Sequence, residues 1–174
     1  MQELRVNVAQ LLQETIGAVR EFELAALLPV HDCIEVGTVL GGLKLTRTDR
    51  GILATGGLKI SVSDTCSRCL RPIDYWVNVR VDDEFLPSVD IGTGRKLRYE
   101  GEAEADTNSI DQHHDLDLTQ TLGEYRTAAL PLAPLCQADC KGICSQCGVD
   151  LNETTHSCEA AIDPRWEKLR ELLR

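Results

Sequence analysis

Eight of the 174 residues are cysteines: Cys33, Cys66, Cys69, Cys136, Cys140, Cys144, Cys147 and Cys158. Two pairs have CxxC spacing, Cys66-Ser-Arg-Cys69 and Cys144-Ser-Gln-Cys147. That spacing sets two thiolates on one side of a tetrahedral ion, leaving the other side to a more distant pair. Gly148 directly follows the second pair and suits a turn that needs positive φ while its backbone N–H groups face the sulfurs. Five thiols fall between Cys136 and Cys158, and zinc takes four ligands. The spacing assigns Cys140, Cys144, Cys147 and Cys158 to the ion, with Cys136 and His156 as alternates. Cys66 and Cys69 stay open as a second zinc site, partners in a shared one, buried thiols or a redox pair. An all-thiolate site is closed and structural, whereas catalytic zinc keeps a free position.

No other catalytic pattern stands beside the thiols. The chain has no GxSxG elbow, GxxxxGK loop, GxGxxG turn or HExxH helix. His113-His114 sit in an acidic stretch and read as solvated. The expectation is a non-enzyme with no catalytic residue. The start Met1-Gln2-Glu3-Leu4-Arg5 lacks the basic, apolar opening of a secretory leader. The longest apolar run, Leu24 to Val30, is far below the ~20 residues of a membrane helix. A cytoplasmic location is expected, and reducing conditions there disfavour disulfides, which leaves metal as the main reason for so many cysteines.

The elements that must position these thiols are mainly strands. Leu4, Val6 and Val8 alternate with polar residues, Ala9 to Glu14 fits a short helix, and Ala18 to Leu24 is extended. Alternation then runs from Ile34 through Thr46, resumes at Ile52 after the turn Thr48-Asp49-Arg50-Gly51, and is clearest at Tyr75, Val77, Val79 and Val81. Gly41-Gly42 and Gly56-Gly57 read either as bends that curl a sheet or as loop residues. Asp117 is placed as the N-cap of a helix through Leu118, Leu122, Tyr125 and Ala129, stopped by Pro131. Asp163-Pro164 starts a last helix striped by Trp166, Leu169, Leu172 and Leu173. The fold class is α+β: an antiparallel, curled or partly barrel-like sheet, a few helices and a small Cys-rich zinc-binding C-terminal segment. Residues 1–130 form the mixed domain, with 88–115 as a mobile acidic loop and 131–174 as the Cys-rich segment and last helix.

Charge is uneven. The chain carries 18 Lys+Arg against 28 Asp+Glu, a net −10. Arg80 to Asp117 holds eleven acids and four bases, while Leu40 to Arg71 holds six bases and two acids. The total argues against a simple nucleic-acid coat. The basic stretch still offers Lys44, Arg47, Arg50, Arg68 and Arg71 as candidate phosphate contacts.

Leu130-Pro-Leu-Ala-Pro-Leu-Cys136, then Asp139-Cys140-Lys-Gly-Ile-Cys144-Ser-Gln-Cys147-Gly-Val-Asp-Leu-Asn152, resembles the C-terminal signature of the YceD-like family. Cys66-Ser-Arg-Cys69-Leu70-Arg-Pro72 and the closing Asp163-Pro-Arg-Trp166 match it as well. Members often have two cysteines close together after the Leu-Asn pair, whereas only Cys158, with His156 beside it, follows here. The family is named for accumulation of large-subunit ribosomal RNA. The resemblance implies a cytoplasmic bacterial ribosome-biogenesis protein that affects the level or processing of 23S rRNA, with its cysteines as metal or structural positions and no catalytic residue. Its partners would be large-subunit rRNA or a pre-ribosomal particle. Alternatively, the acidic tract from Asp82 to Asp117 would make it an adaptor for a basic ribosomal or assembly protein that never touches RNA.

Overall fold

A computed structural model describes residues 4–29, 36–97, 99, 108–155 and 157–158. Cys33, His156, the acidic run 100–106 and the helix expected from Asp163 lie outside the described residues. The chain divides into two compact units, Met1–Ser63 with Asp74–Leu132, and Asp64–Ile73 with Ala133–Arg174. The structure thus groups residues 64–73 with the C-terminal cysteines.

The first unit is built on strands β1 (Arg5–Asn7), β2 (Val19–Pro29), β3 (Val36–Arg47), β4 (Ile52–Thr65), β5 (Pro72–Pro87), β6 (Ser109–Ile110) and β7 (Asp115–Asp117), with helices α1 (Ala9–Gln13) and α2 (Thr119–Ala129). The strands form one sheet in the order β1-β7-β6-β5-β4-β3-β2. Strands β2, β3 and β4 pair antiparallel, as do β6 with β7 and β7 with β1. The expected antiparallel sheet needs a correction. Strand β5 meets β6 in parallel, Leu86 opposite Ser109 and Pro87 opposite Ile110, so the sheet is mixed. The parallel contact is two residue pairs long and lies in the acidic stretch, where no alternating pattern announces it.

The sheet curls. Its outer strands β1 and β2 would stand ~29 Å apart if six spacings of ~4.8 Å lay flat. Yet Gln10 Oε1 on α1, three residues beyond β1, accepts a hydrogen bond from Arg20 of β2 at 3.1 Å. Three residues reach only ~10 Å, so the two edges must bend toward each other. The paired glycines lie inside β3 and β4 and permit the close approach that this curl demands. A Cβ on Gly41 would meet the Gly57 carbonyl oxygen at 2.5 Å, and one on Gly56 would meet that of Gly42 at 2.4 Å.

Alternation explains the core. Leu24, Ala26 and Leu28 of β2, Val39, Leu43 and Leu45 of β3, Ile52, Ala54, Leu58, Ile60 and Val62 of β4, and Val77, Val79, Val81 and Phe85 of β5 are all buried on one face. Leu11 and Leu12 of α1 and Leu122 of α2 close that core. Each fully buried aliphatic or aromatic side chain contributes about 1.5–3 kcal/mol. The helix end differs by one position from the expected cap: Leu118 occupies the N-cap, while Asp117 Oδ1 accepts from the Thr119 amide at 2.9 Å. Asp117 also pairs with Arg5 at 2.8 Å across the β1–β7 ladder. No helix among the described residues is long and apolar enough to cross a membrane.

Candidate metal centres

Both cysteine groups belong to the second unit. The six residues between β4 and β5 form its first turn. There the Cys66 amide donates to the Arg71 carbonyl at 2.8 Å, and the Leu70 amide donates to the Cys66 carbonyl at 2.9 Å. Leu70 is left-handed, with φ 60°. The same pattern recurs at the second CxxC. The Cys144 amide donates to the Val149 carbonyl and the Gly148 amide to the Cys144 carbonyl, both at 2.8 Å, and Gly148 has φ 75°. In each turn the short hydrogen-bonded loop brings two cysteines to one side, as a metal knuckle requires.

Cys66 and Cys69 do not stand alone, and their sulfurs belong to a different group from those of Cys144 and Cys147. Their sulfurs converge with those of Cys136 and Cys140, all four within 4.8 Å of one another. Cys66 Sγ lies 3.8 Å from Cys140 Sγ, and Cys69 Sγ lies 3.6 Å from Cys136 Sγ. Four sulfurs at ~2.3 Å from a tetrahedral ion stand ~3.8 Å apart, so the spacing fits a metal. It is far beyond the ~2.05 Å of a disulfide, and the seven described cysteines are free thiols. A second group holds Cys144, Cys147 and Cys158 within the same limit of one another. The set expected from spacing, Cys140 with Cys144, Cys147 and Cys158, therefore draws from two separate groups. Cys140 turns to the other turn because Arg68 Nη1 donates to its carbonyl at 2.8 Å, while Gly142, at φ 76°, packs on the Arg68 carbonyl.

The two groups differ in exposure. Cys66, Cys69 and Cys140 are 0%, 6% and 1% exposed and pack with Ile73 and Leu135, while Cys136 is more open. Cys144 is half-buried, and Cys147 and Cys158 are exposed. Asn152, which spacing alone did not single out, supports the four-thiol group. Its Nδ2 approaches Cys140 Sγ at 3.4 Å and Asp150 Oδ1 at 2.8 Å, and its Oδ1 accepts from the Lys141 amide at 2.8 Å. Its place in the Cys-Gly-Val-Asp-Leu-Asn string was the available signal.

Electrostatics set the thiols against one another. The Cys69 amide draws the Cys66 thiol down to about 6, against the opposing effect of burial. The Gln146 and Cys147 amides draw Cys144 down to about 6. Partial desolvation of the sulfur and the neighbouring Cys69 push Cys136 up to about 12, and the Cys147 sulfur, with partial desolvation, pushes Cys158 up to about 11. One thiol in each group ionises readily and makes a neighbour resist. Bringing several thiolates together calls for a cation, so either group could hold a metal ion.

The basic candidates are divided between the units, Lys44, Arg47 and Arg50 in the first and Arg68 and Arg71 in the second. Lys44 is exposed on β3. Arg47 Nη1 donates to the Thr48 carbonyl at 2.6 Å and the Gly51 carbonyl at 2.9 Å, holding the β3–β4 turn. Arg50 lies over the Tyr99 ring at 5.6 Å. Arg68 is tied to Cys140, and Arg71 is paired with Asp150 at 2.7 Å and with Glu153. His113 and His114 sit in the β6–β7 turn, outside both thiol groups.

The family model for the large ribosomal RNA subunit accumulation protein YceD matches residues 54–173, which include both CxxC turns and every described cysteine. The chain belongs to the YceD family. Uncharacterised proteins of Mycobacterium bovis and Mycobacterium tuberculosis are each 31% identical to it over 146 residues, covering 80% of this chain and 65% of theirs. One of Mycobacterium leprae is 26% identical over 163 residues, covering 93% of this chain and 70% of its own. The chain thus spans just under two-thirds of the length of the first two relatives. No solved structure matches.

Proposed function

We propose that the protein is a non-catalytic cytoplasmic factor that promotes accumulation or processing of large-subunit (23S) rRNA. Its second unit is held by zinc at Cys66, Cys69, Cys136 and Cys140. Family membership across residues 54–173 carries the ribosomal part of this reading. The four converging thiols support the metal, and an all-thiolate tetrahedral set suits zinc and leaves no position for a substrate. The zinc would hold residues 64–73 to the C-terminal cysteines, a closure worth more the longer the loop it fixes.

RNA contact is best supported on the open face of the sheet, opposite the core. Lys44, Lys59 and Arg80 are exposed there, with Trp76 48% exposed on the same face of β5 as Arg80. Cations beside an exposed aromatic can hold phosphates while a base stacks. Depleting the protein in its host and resolving total RNA by size tests the role. A fall in 23S rRNA or a rise in its precursors is expected; unchanged levels of both would remove the reading.

A second reading is favoured by two observations. Arg47, Arg68 and Arg71 make internal contacts. Glu21 and Glu23 also line the ≈ 590 Å³ groove that contains Lys44 and Arg80. A basic ribosomal or assembly protein would then be the direct partner. Its co-purification after nuclease treatment, together with no binding of rRNA fragments at moderate salt, would select this reading.

A further inference from the structure

We propose that Cys144, Cys147 and Cys158 hold a second metal ion that exchanges with ligands in solution while the four-thiol centre keeps its own. Two independent observations converge on this site. The three sulfurs lie within 4.8 Å of one another. The turn that presents two of them reproduces, bond for bond, the turn of Cys66 and Cys69: first cysteine amide to the sixth residue's carbonyl, fifth amide to the first carbonyl, fifth residue at positive φ. A turn built twice in one small unit, each time with further thiols gathered at it, is a metal-binding device used twice.

The two centres are independent because their ligand sets share no residue. Cys140 and Cys144 are four residues apart, yet each sulfur joins a different group. They differ in access. Three of the four thiols at the first centre are at most 6% exposed, whereas two of the three at the second are exposed and the third is half-buried. A competing ligand must reach the ion to displace a thiolate, so exposure governs the exchange rate. The occupant is a borderline-soft divalent cation, zinc before harder ions, because the donors are thiolates. Binding releases the thiol protons to solvent, and release of the ion returns them without change of oxidation state.

The experiment uses the full chain loaded with zinc, with the chromogenic chelator 4-(2-pyridylazo)resorcinol in excess. Two zinc ions per chain are expected, released in two phases that differ in rate at least tenfold. The Cys144→Ser/Cys147→Ser double variant should lose the fast phase and keep one slowly released ion, which also shows that the unit remains folded. A single ion in the parent chain, a single phase, a fast phase that survives in the double variant, or loss of both ions from it would each overturn the proposal. None of these readouts depends on RNA.

Discussion

Leu70 and Gly148 occupy the same position in two matching turns. Each follows the second cysteine of a CxxC pair, each is left-handed at φ 60° and 75°, and each donates its amide to the carbonyl of the first cysteine, at 2.9 and 2.8 Å. Glycine adopts that conformation freely, whereas a side chain is penalised by ~1 kcal/mol or more. Leu70 is 63% exposed, so its side chain offers little burial in return. Leu70→Gly should leave metal content unchanged and alter stability by less than ~1 kcal/mol, in the stabilising direction if relief of strain outweighs the added freedom of the unfolded chain. Gly148→Val should weaken metal retention at the second centre. Chelator-dependent thermal melts of both variants check the pair; a harmless Gly148→Val with a damaging Leu70→Gly would refute the equivalence.

The curl of the sheet depends on glycine in a different way. A Cβ at Gly41 or Gly56 would collide with a backbone carbonyl of the paired strand, which cannot rotate aside. Gly41→Val and Gly56→Val should each destabilise the first unit by about 2 kcal/mol or more, in the range of overpacked or strained core positions. Gly57→Ala, where a Cβ meets nothing within 4 Å, is the control and should be mild. Urea unfolding followed by circular dichroism would measure all three. Equal effects at Gly56 and Gly57 would contradict the close approach.

Protonation of the metal-free protein should separate the thiols. Backbone amides draw Cys144 down to about 6, whereas Cys158 is pushed up to about 11. Because the Cys144 thiol lies lower in the folded chain than the ordinary ~8.5, its stabilising effect is complete above that value. It fades as pH falls toward 6 and is gone below it. Iodoacetamide labelling of chelator-stripped protein, read by mass spectrometry across pH 5 to 9, should modify Cys144 well ahead of Cys158. Labelling of both with one common pH midpoint would contradict this ordering.

The cysteines announced metal chemistry by type and spacing, but not their partners. Proximity in sequence favoured Cys140 beside Cys144. What decides its partners is the hairpin tip between β4 and β5, which carries Cys66, 74 positions upstream, against Cys140 Sγ. No local pattern encodes that meeting. The strands were legible wherever one face is buried, as at Tyr75 to Val81, because alternation is imposed by the core. The glycine pairs could be read as loop or bend, and the register, which sets Gly42 opposite Gly57 inside the ladder, shows that they are not loop residues. The parallel β5–β6 contact leaves no mark in the sequence because two residues are too few to show a period. The basic residues were visible as a group, but Arg47, Arg68 and Arg71 are drawn into internal contacts by carbonyls and carboxylates that sequence alone does not place beside them.

The most direct test of the four-thiol centre is zinc-edge X-ray absorption on the Cys144→Ser/Cys147→Ser chain, which removes the second turn's thiols. One zinc per chain with a shell of four sulfurs at ~2.3 Å is the expected result. Nitrogen or oxygen in the shell, or less than a tenth of an equivalent of metal, would contradict a centre made of Cys66, Cys69, Cys136 and Cys140.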